Sequence, residues 1–292
     1  MYLNFDLPVL NQQQPIWNGQ EFIIGPKNTK VLEYSQNNAG WDDQLTFLHE
    51  EVAGHNHPID VASRARAVKY LKKYLPQHNV PCILEVGCSS GFMLADLKKA
   101  MPNAILIGAD VTSAALYSLA TRIPNLPLLQ FDLTQCPLPD ACIDAMVMLN
   151  VLEHIEDDVL ALQQAFRILK PGGLLVLEVP AGPHLYDFYD EQLRHFRRYT
   201  SQELKDKCTK ANFNIIKASH LGFFIYPPFA MVKRRNQQLA INKAQKTHLT
   251  TQNIKTTQSN KILQGLLAIE ERMDVWFNYP LGVRCTMVCI KE

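Results

Sequence analysis

The sequence predicts an α/β fold: a largely parallel sheet with helices on both faces. Three observations carry that expectation. Short, uniformly apolar runs recur along the middle of the chain, amphipathic stretches separate them, and a glycine turn follows the first run. Strands covered on both faces read as continuous apolar runs rather than alternating ones, which is the signature of a parallel sheet.

The elements follow in order. Residues 1–60 are rich in Asn, Gln and Gly and predict an irregular N-terminal cap or lid. VASRARAVKYLKKYL places Val61, Ala65, Val68, Leu71 and Leu75 at helical spacing, and Pro76 and Pro81 stop it. CILEVG predicts the first strand and GFMLADLKKAM a helix. AILIGAD is the second strand, and SAALYSLATRI a helix with Ser113 as its N-cap. LPLLQFD and CIDAMVMLNV are the third and fourth strands. EDDVLALQQAFRILK has acids in its first turn and Lys170 at its end, as the helix dipole favours. PGG ends it, and LLVLEVP is the fifth strand. TSQELKDKCTKA predicts a helix with Thr200 or Ser201 as N-cap and Glu203 closing a capping box. FNIIKASHLGFFIYPPF starts as a strand, ILQGLLAIEERMDVWF is an amphipathic helix, and VRCTMVCIKE is the closing strand. The main domain is thus expected over 61–229 and 281–292. Residues 230–280 form an insertion, a basic loop plus a helix, between the last two strands.

Bulk composition limits the function classes. Of 292 residues, 47% are hydrophobic and 20% charged, enough for a real core in a soluble globular protein. A net charge of +1 gives the whole molecule no case for nucleic-acid binding. The seven cysteines are odd in number, scattered and without a C-x-x-C, which predicts buried reduced thiols rather than disulfides or a zinc knuckle. The N-terminus has no basic start followed by an apolar run, and no 18-residue apolar stretch occurs, so a cytoplasmic protein without a transmembrane helix is expected.

The turn in ILEVGCSSGFMLADL raises the question of its ligand. Gly87 and Gly91 allow close approach of the backbone, and the following helix aims free N–H groups into the same crevice. Aligning G-x-G-x-x-G on Gly87 puts Ser89 and Phe92 at the other two glycine positions, which disfavours a pyrophosphate-bearing nicotinamide cofactor. A serine suits this tight turn if its φ is negative. Asp110, at the end of the second strand, can accept both ribose hydroxyls of an adenosine, and Asp132, ending the third, can accept from an adenine amino group. With Glu85 these acids repel phosphate and tolerate a cation. A phosphate-free adenosine bearing a sulfonium, S-adenosylmethionine, fits that pattern.

LEVGCSSG, GAD, FDLTQCPLPD, IDAMVMLNVLEHIED and LKPGGLLVLEVP resemble, in order and spacing, the motifs of class I S-adenosylmethionine-dependent methyltransferases. The resemblance covers about residues 80–222 plus the terminal strand. It implies a Rossmann-like seven-stranded sheet with the last strand antiparallel beside the fifth. It implies that Glu85, Gly87 and the turn Cys88, Ser89 to Gly91 face the methionine end of the cofactor. Asp110 would bind the ribose, with Val111 beside the adenine; Asp132 and Leu133 would meet the adenine, and Asn150 and Val151 would line the methyl-donor pocket.

Methyl transfer to a hydroxyl needs alignment, exclusion of water and removal of a proton. His154, in NVLEHIED beside Glu153, is a candidate general base, or else packs at a helix start. DEQLRHFRRYTSQEL resembles a stretch of members that methylate small molecules, lipids or sugars, and His195, Arg197, Arg198 and Tyr199 are candidates for the acceptor pocket. The alternative is an ion-paired surface turn with Tyr199 as a core plug. HEEVAGHNHPID offers His49, His55 and His57 with Glu50, Glu51 and Asp60, but loop histidines are commonly solvated and no metal is assigned. LGFFIYPPFAMV suits either a lipid-like acceptor and peripheral membrane contact or a buried strand leading into an ordered lid. Residues 233–261 hold seven Lys or Arg and no acid, a solvated loop or an attractor of a phosphate-bearing partner. The leading expectation is methyl transfer to a small-molecule, sugar or lipid-like acceptor, on oxygen. Nucleic-acid methylation, a non-catalytic cofactor-binding scaffold and, at fold level, a nicotinamide dehydrogenase are the rivals. Oligomeric state and acceptor identity stay open.

Overall fold

The computed structural model describes residues 3–35, 55–76, 80–239, 260–274 and 276–292, and residues 242, 245, 246, 248, 249, 252, 256 and 257. Its centre is an eight-stranded sheet. Chain order gives β4 (Val31–Glu33), β5 (Cys82–Val86), β6 (Ile105–Asp110), β7 (Leu128–Gln130), β8 (Ile143–Leu149), β9 (Leu169–Pro180), β10 (Asn214–Leu221) and β11 (Arg284–Ile290). Their order across the sheet is β10-β11-β9-β8-β5-β6-β7-β4. β11 runs antiparallel to both β9 and β10, while β4 to β9 pair in parallel. The α/β class, the parallel core and the antiparallel last strand beside the fifth predicted strand agree with expectation.

The strand count does not. Val31 pairs with Leu128 and adds an eighth strand at the edge. Residues 1–60 are therefore not simply irregular. β1 (Ile16–Trp17), β2 (Phe22–Ile24) and β3 (Lys27–Thr29) also form a small antiparallel sheet. Its Trp17 and Phe22 rings lie 4.8 Å apart and join the main core.

Alternation along the strands divides the core. Ile83, Val147, Val176 and Val288 face the helices Pro58–Tyr74, Phe92–Ala100 and Ser113–Arg122. Leu84, Met146, Met148, Leu175, Leu177 and Met287 face the opposite side, with the helices Asp158–Ile168 and Ser201–Lys210. This two-sided burial is why the strands read as unbroken apolar runs. Helix Ser201–Lys210 carries the expected capping box between Thr200 and Glu203. The N-cap position of the helix after β6 is Thr112 rather than Ser113; its hydroxyl makes no capping bond and donates instead to Asp110 Oδ1 at 2.8 Å. All seven cysteines are buried free thiols.

After β10 the chain forms a helix, Tyr226–Gln237, where an apolar strand leading into a lid was expected. The prolines at its start are compatible with a helical first turn, where no N–H partner is needed. Helix Lys261–Met273 docks on Pro58–Tyr74 through buried charge. Arg66, 1% exposed, donates to Glu270 at 3.0 Å and to the His220 carbonyl at 2.7 Å, and the Tyr70 hydroxyl donates to Asp274. Among the described residues, no helix is long and apolar enough to cross a membrane.

Candidate active site

The strand order reverses between β5 and β8, and ligands of open α/β sheets bind at the carboxyl ends of strands beside such a reversal. A cavity of about 740 Å³ opens there. Gly87 and Gly91 have φ of +73° and +71°, left-handed values natural for glycine. A Cβ on Gly87 would stand 2.5 Å from Val151 Cγ2, and one on Gly91 would collide with Leu119. The turn thus brings bare backbone to the cavity wall. Ser89 also has a positive φ, +43°, against the negative value that the sequence reading required. Its amide N–H donates to Asp110 Oδ2 at 2.9 Å, so the carboxylate holds the serine in a costly conformation.

The acids lie around that turn. Asp110 accepts at Oδ1 from the Thr112 amide and hydroxyl, so its orientation is set before any ligand arrives. Asp132 lies two residues past β7 rather than on it. Its Oδ1 accepts from the Thr134 amide and hydroxyl, capping a short 3-10 turn that holds Leu133. Glu85 is 6% exposed, lines the cavity, and its Oε2 has no hydrogen-bond partner. Burial, then the neighbouring Asp110 carboxylate, holds the Glu85 carboxyl well above the usual range. A buried carboxyl with one unpartnered oxygen beside a backbone cradle fits a cationic ligand group. Val111, Asn150 and Val151 line the same space with Cys88. Asn150 sits at φ +55° directly after β8, a conformation asparagine tolerates better than most residues.

The β8 and β9 side of the cavity is assembled from distant segments. The 3-10 turn Leu152–His154 follows β8, and the Glu153 carbonyl accepts from the Phe196 amide at 2.8 Å. That bond straps residues 195–199 onto the turn. His154 and His195 come to rest with ring centroids 4.6 Å apart. Glu153 is fully buried, and among the described residues no donor from another residue meets either carboxylate oxygen. Burial pushes its carboxyl up to about 8.

His195 is fixed by Asp190, whose Oδ1 lies 2.8 Å from Nδ1. Asp190 also accepts from Arg198 at 2.8 Å and from Lys233 at 2.9 Å, and Lys233 reaches Asp187 at 2.6 Å. Burial alone would raise Asp190; the His195 hydrogen bond and the Lys233 and Arg198 charges outweigh it and hold the carboxylate well below its usual range. Burial lowers His195 despite the Asp190 hydrogen bond that opposes it, favouring the neutral ring.

Several expected roles change. Tyr199, 1% exposed, does not line the cavity: its hydroxyl donates to Asp158 Oδ2 at 2.9 Å, making it the core plug of the alternative reading. Arg197 pairs with Asp158 at 2.6 Å and Arg198 with Asp190, so the segment is ion-paired, but Arg198 is buried rather than on the surface. Lys233 departs from the solvated-loop reading, being 5% exposed and committed to two aspartates. His49, Glu50 and Glu51 lie outside the described residues. His55 stacks edge-on against Phe92, and His57 Nδ1 lies 3.1 Å from Asp60. Asp187, Asp190 and Lys233 were not singled out from the sequence, because nothing in local pattern marks a charge that is buried only by long-range packing.

Comparison with known proteins agrees with the fold. Residues 84–177 match the profile of a methyltransferase domain. A protein of Mycolicibacterium smegmatis named as a probable S-adenosylmethionine-dependent methyltransferase is 29% identical over 138 residues, covering 46% of this chain and 52% of that one. A trans-aconitate 2-methyltransferase of an Azoarcus species is 28% identical over 162 residues, covering 55% of this chain and 56% of that one. The chain thus spans about half the length of these curated relatives. The solved structure of a SAM-dependent methyltransferase from Thermotoga maritima superposes with a TM-score of 0.52 at 18% identity, covering 85% of this chain and 100% of that one, and shares the fold.

Proposed function

We propose that this chain, whose central domain belongs to the class I S-adenosylmethionine-dependent methyltransferases, transfers a methyl group from that cofactor to an oxygen of a small acceptor with an apolar portion. The observation that carries the reading is one continuous cavity. It joins the glycine turn to Glu153, His154 and His195, and runs on to a wall of Ile225, Phe229, Val232, Leu263 and Leu266. S-adenosylmethionine, when bound, supplies a methyl carbon already activated by its sulfonium leaving group.

The chain's residues would do the rest. Glu85 would offer its unpartnered Oε2 to the ligand's ammonium, and the backbone at Gly87 would approach the methionine end. Asp110 would hold the ribose, Val111, Asp132 and Leu133 would flank the adenine, and Asn150 and Val151 would border the methyl group; all six line the cavity. Glu153, His154 and His195 act on the acceptor hydroxyl, whose proton must leave as the new bond forms. The apolar wall excludes water and holds the acceptor's carbon skeleton, which makes a sugar without an apolar substituent a poorer fit.

The test is methyl incorporation from radiolabelled S-adenosylmethionine into matched hydroxyl acceptors with and without an eight-carbon tail, and into a single-stranded RNA. The tailed acceptor is expected to be favoured by at least about 10-fold in kcat/KM, since each buried CH₂ contributes roughly 0.8 kcal/mol. Incorporation into RNA alone contradicts the reading.

A further inference from the structure

Glu153, His154 and His195 each offer one ligand atom, and those atoms lie within 4.8 Å of one another. A metal ion draws its ligands closer than this, within reach of small rotamer changes, because two donors near 2.1 Å from a common ion stand roughly 3–3.5 Å apart. Two imidazoles and a carboxylate on one side of an ion, with the other side open to a cavity, is the donor set of catalytic rather than structural metal sites. From the sequence no metal is expected, and the loop histidines are the nearest candidates; the donors converge elsewhere.

Three further features point the same way. Glu153 is fully buried, and among the described residues no donor from another residue meets either carboxylate oxygen; its own backbone and the more distant Arg284 and Arg198 offset its desolvation only in part. His195 is oriented as metal-bound histidines are: Asp190 engages Nδ1 at 2.8 Å and leaves Nε2 for a ligand. The nearby cations are ion-paired with other carboxylates. Lys233 and Arg198 are taken by Asp187 and Asp190, and Arg284 is taken by Asp60 and Glu178. Among the described residues no cation donates a hydrogen bond to Glu153, and Arg284 and Arg198 act on it only at a distance.

We infer that Glu153, His154 and His195 bind a divalent transition-metal ion, zinc by ligand type, with open positions facing the acceptor end of the cavity. Binding of the ion stands on this geometry alone; its catalytic role rests on the methyl-transfer reading. In that role an acceptor hydroxyl takes an open position and gives its proton to solvent water. Its oxygen then forms the bond to the methyl carbon, while the electron pair of the broken C–S bond stays on sulfur. A metal-bound hydroxyl ionises near neutral pH, as metal-bound water does.

The experiment is titration of the chelator-stripped full chain with Co²⁺, followed by its visible d–d bands, alongside calorimetry with S-adenosylmethionine. One equivalent of Co²⁺ is expected per chain, displaced by Zn²⁺. Glu153→Gln and His195→Gln, checked for folding by circular dichroism, should each weaken it by more than about 100-fold, beyond what losing an outer-shell partner costs. His57→Ala should leave it intact. No Co²⁺ uptake by the wild-type chain overturns the inference, as does uptake unchanged in both variants. Co²⁺ uptake without S-adenosylmethionine binding upholds the metal site and overturns the methyl-transfer reading instead.

Discussion

The two ends of the cavity are built by different rules. The end under β5, β6 and β7 comes from consecutive strand ends, each followed by its own turn, and its partners lie two residues apart, as Thr112 with Asp110 and Thr134 with Asp132, or on the neighbouring strand end, as Ser89 with Asp110. The end under β8 and β9 comes from residues 153–154, 187–198 and 233, joined by long-range bonds and buried ion pairs. Under the proposed function, local construction would fix the cofactor end, and long-range construction would leave the acceptor end free to vary without disturbing it. The two ends should therefore fail differently when mutated.

The largest effect belongs to the long-range end. Lys233→Ala leaves Asp187 and Asp190 buried without their ammonium partner, and removing one member of a buried pair costs about 3–5 kcal/mol. Urea denaturation should show a loss of that size. A loss below about 1 kcal/mol would mean that the aspartates relax to other partners and that the two ends are less distinct than described.

Gly87→Ala attacks the local end. The added methyl meets Val151 and the backbone must hold a left-handed φ, so S-adenosylmethionine affinity should fall by about 100-fold, roughly 2.7 kcal/mol, with a smaller change in global stability. Unchanged affinity would remove the turn from the cofactor site.

This contrast also explains what could be read in advance. The strands β5 to β9 and their helices announce themselves because two-sided burial writes apolar runs and 3.6-residue periodicity. The Thr200–Glu203 capping box is a local bond and was legible as one. β1 to β4 are only two or three residues long, too short for a period to register. Helix Tyr226–Gln237 was hidden by its apolar, proline-containing start, and Lys233 by the basic residues around it. Glu153 and His154 are adjacent in sequence and His195 was an acceptor-pocket candidate, but no local pattern says that the Phe196 amide straps His195 against them. Tyr199 shows the converse: an apparent acceptor-site tyrosine whose hydroxyl is spent on Asp158.

Tyr199→Phe gives the smallest effect and sharpens that last point. Loss of one buried hydrogen bond to a carboxylate should cost about 1.5–3 kcal/mol at most in stability, with kcat/KM for methyl transfer within about 2-fold of wild type. A 100-fold fall in kcat with stability unchanged would return Tyr199 to the chemistry.

The central claim is that the local end binds S-adenosylmethionine through Asp110 and Glu85. Calorimetric titration with S-adenosylmethionine and with NAD, in two buffers of different ionisation enthalpy, tests it directly. The account predicts micromolar binding of the former alone, about −8 kcal/mol, and its loss in Asp110→Ala. It also predicts proton release, because the Glu85 carboxyl, raised by burial in the free protein, ionises against the incoming ammonium, so binding strengthens as pH rises toward that raised value. Binding of NAD, or S-adenosylmethionine binding unaltered in Asp110→Ala, would contradict it.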